Sequence, residues 1–317
     1  MLVVTPNLCF DRTLRVVRFE AGSIARPYDV AEAPGGKGVN VCRAVSDLGG
    51  AADLLGLVGS DDEARLTGQV RAEGLSLHAV EVAGRLRVAT VIVEDSGRAS
   101  VLNEPGPVVT AEVTDALLRR AAELLPGRSV LVCSGSLPPG MATDTYGRLA
   151  ALAREQGVVS VVDGARAALA DALAFEPDLV TPNLHEAEGV VEGRSEEASH
   201  DDGPLDEVRG RAFAMAAALR KRGARRALVT AGAHGAAYAA DDGELWVPAP
   251  KVQVRNPIGA GDALVGGLAH ALTQGRDWPD AARWGVVVAS AAVQHPDAGH
   301  LDAAEAHRLA GLQVAAP

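Results

Sequence analysis

"GVNVCRAVSDLGGAADLLGLVG" (38–59) changes its hydrophobic rhythm at Gly49 and Gly50. Residues 38–50 carry apolar side chains at helical spacing and end on glycine, which predicts a helix with a glycine stop. Residues 52–59 are short, rich in leucine and bounded by turn formers, which predicts a buried strand. The alternation continues outward in both directions. Strands are expected over 1–5, 129–135, 158–164, 178–183 and 226–232, and helices over 111–125, 143–157 and 204–223. This pattern predicts a parallel sheet with helices on both faces. Residues 10–34 and 85–104 break the rhythm with β-type alternation, and "EDSG" (94–97) reads as a hairpin turn. A small sheet standing off the main one is expected there. The acidic stretch 191–207 reads as a solvated loop, and "RKRGARR" (220–226) includes the cationic end of a helix.

Composition bounds the function. A chain of 317 residues, 48% hydrophobic and 22% charged, has the makeup of a soluble globular protein of one large domain or two ordinary ones. No run of eighteen apolar residues suggests a membrane span. The start "MLVVTPNLCFDRT" reads as a first strand rather than a signal peptide. Three scattered cysteines, Cys9, Cys42 and Cys133, argue against a disulfide framework and for a cytoplasmic setting. A net charge of −11 and only 3% aromatic residues argue against a nucleic-acid surface. Any anionic substrate must then be held by local positive groups rather than by the overall field.

Four turns carry the chemistry. "NPIGAGDALVGGLAHAL" (256–272) places Gly259, Ala260, Gly261 and Asp262 at the start of a helix whose residues Leu264, Val265, Leu268, Ala269 and Leu272 share one face. Free N–H groups at such a start attract anions, so an acid there either caps the helix or works on something beside a phosphate. "APGGKGVN" (33–40) sets Gly35, Gly36 and Gly38 around Lys37, with Asn40 one turn on. It is either a tight strand–helix connection or a ligand turn with a point charge and an amide. "VTPNLHEAEG" (180–189) spaces Asn183 and Glu186 three apart, as a capping box would, or as oxygen ligands near Mg²⁺ would. "VTAGAHGAAY" (229–238) adds Thr230, Gly232 and Gly235 at another strand end, with His234 incidental. Glycine turns at the carboxyl ends of several parallel strands are where open α/β sheets bind ligands.

Together with "LNEPGP" (102–107) and "SGSLPPG" (134–140), these motifs make the chain resemble the PfkB (ribokinase-like) carbohydrate kinases from Thr5 to about Gln294. They look most like the phosphosugar branch, which holds 1-phosphofructokinase and tagatose-6-phosphate kinase. The resemblance implies a three-layer α/β sandwich with a mostly parallel central sheet and a small β lid. The core would comprise 1–9, 35–84 and 105–317, and the lid 10–34 and 85–104. It implies ATP and Mg²⁺, leaves a monovalent cation open, and suggests a homodimer through the lid. By similarity Asp262 would be the general base, and the backbone of Gly259, Ala260 and Gly261 the anion hole. Asp11, Gly36, Lys37, Asn40, Arg87, Asn103 and Ser136 would bind the sugar phosphate, with Arg87 on its phosphate. Asn183, Glu186, Thr230, Gly232, Gly235 and Gly261 would bind the nucleotide, with Glu186 on Mg²⁺ through water.

The chain departs from the family pattern at Leu8 and Cys9, at Ala89, and at Thr181. Three functions follow. One is a kinase for a phosphorylated ketohexose such as fructose 1-phosphate, with tagatose 6-phosphate or fructose 6-phosphate as alternatives. A second is a kinase of the same fold for an unphosphorylated sugar or nucleoside. A third is a non-catalytic sugar-phosphate sensor.

Overall fold

The computed structural model describes residues 1–193 and 203–314. The chain begins with β1 (Leu2–Thr5), β2 (Cys9–Val16), β3 (Asp29–Gly35), α1 (Lys37–Asp47) and β4 (Asp53–Gly59). It continues through α2 (Glu63–Ala72), β5 (Ser76–Val82), β6 (Arg87–Glu94), β7 (Ala99–Asn103) and α3 (Ala111–Leu124). Next come β8 (Val130–Ser134), α4 (Thr145–Glu155), β9 (Val159–Asp163), α5 (Arg166–Ala172) and β10 (Leu179–Val180). The remainder is α6 (Leu184–Glu192), α7 (Leu205–Lys221), β11 (Ala227–Thr230), β12 (Gly235–Ala240), β13 (Gly243–Pro248), α8 (Ala260–Thr273), α9 (Trp278–Ala292) and α10 (Ala303–Val314).

Nine strands form one sheet in the order β13-β12-β11-β10-β9-β8-β1-β4-β5. From β11 to β5 every pairing is parallel; at the other edge β12 pairs antiparallel with both β11 and β13. The two-residue period of the strands explains the layers. Val3, Leu54, Val58, Val130 and Val132 point into one buried cluster, shared with α1, α8, α9 and α10. Leu2, Val4, Leu55, Leu57, Leu131 and Cys133 point into the other, shared with α3, α4, α5, α6 and α7. Helices cover both faces, so the central strands read as unbroken apolar runs.

A separate four-stranded sheet, in the order β3-β2-β6-β7, gathers the segments that broke the rhythm. β2 pairs antiparallel with β3 and parallel with β6, and β6 pairs antiparallel with β7. The turn at "EDSG" closes with Gly97 in the left-handed region (φ 84°), its N–H donating to Glu94 O at 2.8 Å.

Differences from the sequence-based expectations have physical reasons. The acidic stretch is only partly loop: Val191 and Glu192 close α6, Leu205–Glu207 open α7, and 194–202 lie outside the described residues. Helix α8 is not one-faced. Every residue from Asp262 to Ala271 is buried, because α1 and α9 pack against it as well as the sheet. Glycines make that approach possible. A Cβ on Gly266 would meet Val41 O at 2.9 Å, and one on Gly267 would meet the Val288 side chain at 2.6 Å. The closeness of α1 and α8 sets the geometry of everything at their N-terminal ends.

Candidate active site

Parallel strands bring their carboxyl ends to one side of the main sheet, and α1 and α8 begin there. Gly259 is the N-cap of α8, with φ 82°, which puts Asp262 in the first turn. Asp262 Oδ2 accepts from Asn40 Nδ2 of α1 at 2.8 Å, so the neighbouring helix engages this carboxylate. The carboxylate is 7% exposed. Burial, together with the nearby carboxylates of Asp163 and Asp11, pushes its pKa up to about 7, against the pull of Lys37 and the Asn40 amide.

The glycines of this turn differ in purpose. A Cβ at Gly259 would lie 2.8 Å from Gly299 N, so that position needs glycine for both its φ and its packing. Gly261 has no positive φ, and nothing lies within 4 Å of where its Cβ would be. No packing demand of the fold explains Gly261; open space at the start of a helix suits an anion, although the Ala260 N–H already donates to Pro257 O at 3.4 Å.

Lys37 opens α1 immediately after Gly36, whose φ of 113° turns the chain out of β3. Its Nζ lies 3.2 Å from Asp163 Oδ2 and 3.8 Å from Glu186 Oε1. Burial alone would lower the Lys37 pKa; the carboxylates of Asp163, Glu186 and Asp262 outweigh it and hold the ammonium well above its ordinary range. Asp163 ends β9, is 4% exposed, and also accepts from Ser134 Oγ at 3.0 Å. Lys37 therefore links Asp163, Glu186 and the field at Asp262.

Asn183 and Glu186 form a complete capping box at the start of α6, each side chain accepting from the other's backbone N–H at 2.9 Å. The box fixes the Glu186 carboxylate near Lys37 without excluding a ligand role. Among the described residues no three His, Cys, Asp or Glu side chains form a ready-made metal cage. One fixed carboxylate fits a Mg²⁺ that keeps most of its water. Thr230 bridges to Asn183 between neighbouring strand ends, and its N–H donates to Pro182 O at 3.0 Å. Gly232 sits exposed in the following turn. Gly235 has a structural reason to be glycine, since a Cβ there would come within 2.1 Å of Val247 O.

The second sheet supplies the other wall. Asp11 on β2 faces Gly35 on β3, where a Cβ would lie 2.3 Å from the Asp11 carboxyl carbon. Burial raises the Asp11 carboxyl, partly offset by a bond from Cys9 Sγ to Asp11 Oδ1 at 3.4 Å. Arg87 starts β6 in register with Cys9, and its Nε donates to Asn7 O at 3.2 Å. Asn7 Nδ2 donates to Ser136 Oγ at 3.0 Å and to Pro105 O at 3.3 Å. Arg87, Ser136 and the "EPG" loop thus converge on Asn7. Asn103 ends β7 on an exposed edge, in register with Ala89, and no hydrogen bond ties it to this cluster. Leu8 is 1% exposed and fills space over Gly56, where a Cβ would lie 2.5 Å from its Cδ1; it belongs to the core rather than to an open pocket. Ala89 and Thr181 are buried too.

Sequence reasoning missed Asn7, Arg43 and Asp163. Asp163 had a usable signal, a carboxylate at the end of an apolar strand, where only a ligand or a buried cation would justify it. Asn7 and Arg43 act through bonds to distant segments, which spacing does not reveal.

The architecture is that of a ribokinase-like carbohydrate kinase. Residues 2–304 match the model of the pfkB family carbohydrate kinases, and the chain belongs to that family, as an ATP-dependent sugar kinase. It is 33% identical over 282 residues to a 1-phosphofructokinase of Rhodobacter capsulatus, covering 88% of this chain and 86% of the relative. Escherichia coli phosphofructokinase-2, solved in complex with potassium, superposes with a TM-score of 0.87 at 26% identity, over 99% of both chains. A Thermotoga maritima protein described as a possible 1-phosphofructokinase superposes with a TM-score of 0.82 at 26% identity, over 97% of this chain and 96% of that one.

Because the folded Asp262 pKa (about 7) exceeds its ordinary 3.8, its charge opposes folding increasingly as pH rises from about 4 to about 7. Removing that charge is expected to stabilise the ligand-free protein. Asp262→Asn should be more stable than wild type by up to about 4 kcal/mol at pH 8, from three pKa units at about 1.4 each, and by clearly less at pH 5. Urea unfolding at the two pH values measures this; a pH-independent difference would contradict the titration.

Proposed function

We propose that this protein transfers the γ-phosphoryl group of ATP to a hydroxyl of a sugar phosphate, with fructose 1-phosphate the favoured acceptor and fructose 1,6-bisphosphate the product. One observation carries the proposal. Asp262 is a buried carboxylate with a pKa near neutrality, bonded to the neighbouring helix and next to the open space at Gly261. That is the state a general base needs at physiological pH.

In this reading Asp262 takes the proton of the acceptor hydroxyl as its oxygen attacks the γ-phosphorus and the bond to ADP breaks. The backbone N–H groups of Gly259–Gly261 stabilise the charge on the transferring group. Lys37, held charged, faces the phosphates, and Glu186 would hold Mg²⁺ through water, where the ion neutralises phosphate charge. Asp11 and Asn40 orient the sugar hydroxyls. Arg87, with Ser136 at its side on Asn7, meets the phosphate already on the sugar. The net charge of −11 makes these local cations necessary. The names of relatives such as that of Rhodobacter capsulatus support a 1-phosphate acceptor, and the potassium in the Escherichia coli structure supports a monovalent cation here.

The second sheet would act as a lid over the sugar. Val30, Val101 and Leu102 on it are more than half exposed, as are Ile24 and Tyr28 in its loop. Apolar surface of that kind supports a homodimer formed lid to lid. Light scattering should give twice the 32.5 kDa chain mass at micromolar concentration, and a monomer would remove the dimer from this account.

An ADP-release assay across sugars and sugar phosphates tests the main proposal, with turnover expected first on fructose 1-phosphate. Asp262→Asn should lower kcat by roughly two to four decades with KM little changed. Arg87→Ala should lose phosphosugar turnover; full activity of that variant on a neutral sugar would move the acceptor to the unphosphorylated class. No turnover on any acceptor, with ligand-induced thermal stabilisation intact, would leave a sensor.

A further inference from the structure

We propose that Arg43 is a positioning residue for the reaction, locking the Asn40 amide so that its N–H₂ faces Asp262 and tying that amide to the second sheet. The inference rests on Asp262 being the base.

Arg43 lies one turn beyond Asn40 on α1 and is 5% exposed. Its Nη1 donates to Asn40 Oδ1 at 2.9 Å. Its Nη2 donates to Pro34 O at 2.9 Å and to Glu73 Oε1 at 2.7 Å, and its Nε to Glu73 Oε2 at 2.8 Å. One guanidinium therefore holds three segments at once: α1, the end of β3, and Glu73 just beyond α2.

An amide side chain can be turned by 180° with little change in shape, so its neighbours decide which end faces which. Asn40 stands between a cation and a carboxylate. As found, its oxygen accepts from Arg43 and its nitrogen donates to Asp262. Turned over, it would set N–H₂ against the guanidinium and oxygen against the carboxylate, two repulsive contacts in a buried site. Without the guanidinium only one of those penalties remains. The backbone closes the cage, since a Cβ on Gly299 would lie 2.7 Å from Asn40 Oδ1 and one on Gly259 would lie 3.3 Å from Asn40 Nδ2.

A purely structural arginine would need only Glu73, whose two oxygens already form a fork–fork pair with it. The additional bonds run to the base's partner and to Pro34, which pairs in register with Phe10 beside Asp11. A shift of the second sheet onto a sugar would therefore be felt at Asn40. The charged groups facing Asp262 are Lys37, Asp163 and Asp11; Arg43 reaches it only through the amide.

Arg43→Met, Arg43→Lys and Glu73→Gln, assayed in the full-length protein, separate the roles. Arg43→Met should lower kcat about 10- to 100-fold with KM for ATP within about twofold, as a misplaced general base would. It should also move the acid limb of the kcat/KM profile upward, because Asp262 loses a fixed donor. Arg43→Lys should recover part of kcat. Glu73→Gln keeps the bonds to Asn40 and Pro34, so it should hold kcat within about threefold of wild type even where it unfolds as early as Arg43→Met. Wild-type kcat and pH profile in Arg43→Met would overturn the proposal, as would equal losses in Arg43→Met and Glu73→Gln at equal stability. Wild-type protein inactive on every acceptor would instead sink the kinase proposal. Even then, the pH-dependent stability gap between Asp262 and Asp262→Asn reads the pKa of Asp262. If Arg43→Met does not move that midpoint upward, Arg43 does not hold the amide.

Discussion

A hydrogen bond between two helix starts organises this molecule. Asn40, in the first turn of α1, donates to Asp262, in the first turn of α8, across 2.8 Å. It exists because Gly266 lets α8 lie against the backbone of α1, and because Gly259 turns the chain into α8 at a φ that other residues resist. A buried carboxylate with one fixed donor is costly to keep charged. The fold tolerates it because Lys37 stands nearby, itself held by Asp163 and Glu186. The resulting balance leaves Asp262 near neutrality rather than fully ionised or fully protonated.

The rest of the architecture serves to bring these groups together. Parallel strands buried on both faces place their carboxyl ends in one row, where Asp163 and Thr230 end β9 and β11 and Asn183 follows β10. The second sheet sets Asp11 and Arg87 opposite them, with Asn7 joining Arg87 to Ser136. An acidic protein thereby concentrates its useful positive charge at two points, Lys37 and Arg87, where anionic groups would lie. If Asp262 is the base, stability is given up locally for chemistry.

Much of this was legible in the residues. The central strands and the helices between them follow from apolar runs and helical spacing, because the main sheet is buried on both sides. β12 was not legible: "GAAYAA" is mostly alanine and glycine, which lack β propensity, and pairing with β11 and β13 makes it a strand. The glycines of "GAGD" announced a special turn, but not that Gly259 is fixed by packing while Gly261 faces open space. "NLHE" was ambiguous between cap and ligand, and the fold uses it as a cap that also aims Glu186 at Lys37. Leu8, where the chain departs from the family pattern, is core. Arg43 left no trace in spacing, since its partners lie 3, 9 and 30 residues away along the chain. Long-range polar bonds of this kind are written in the fold alone.

The central claim is that one carboxylate, held near neutrality, accepts the proton of the acceptor. The pH dependence of kcat/KM for fructose 1-phosphate addresses it most directly. The free-enzyme profile should rise through an acid limb centred near pH 7, set by Asp262, and the residual activity of Asp262→Asn should lack that limb. An unchanged acid limb in Asp262→Asn would assign the titration to another group and contradict the account.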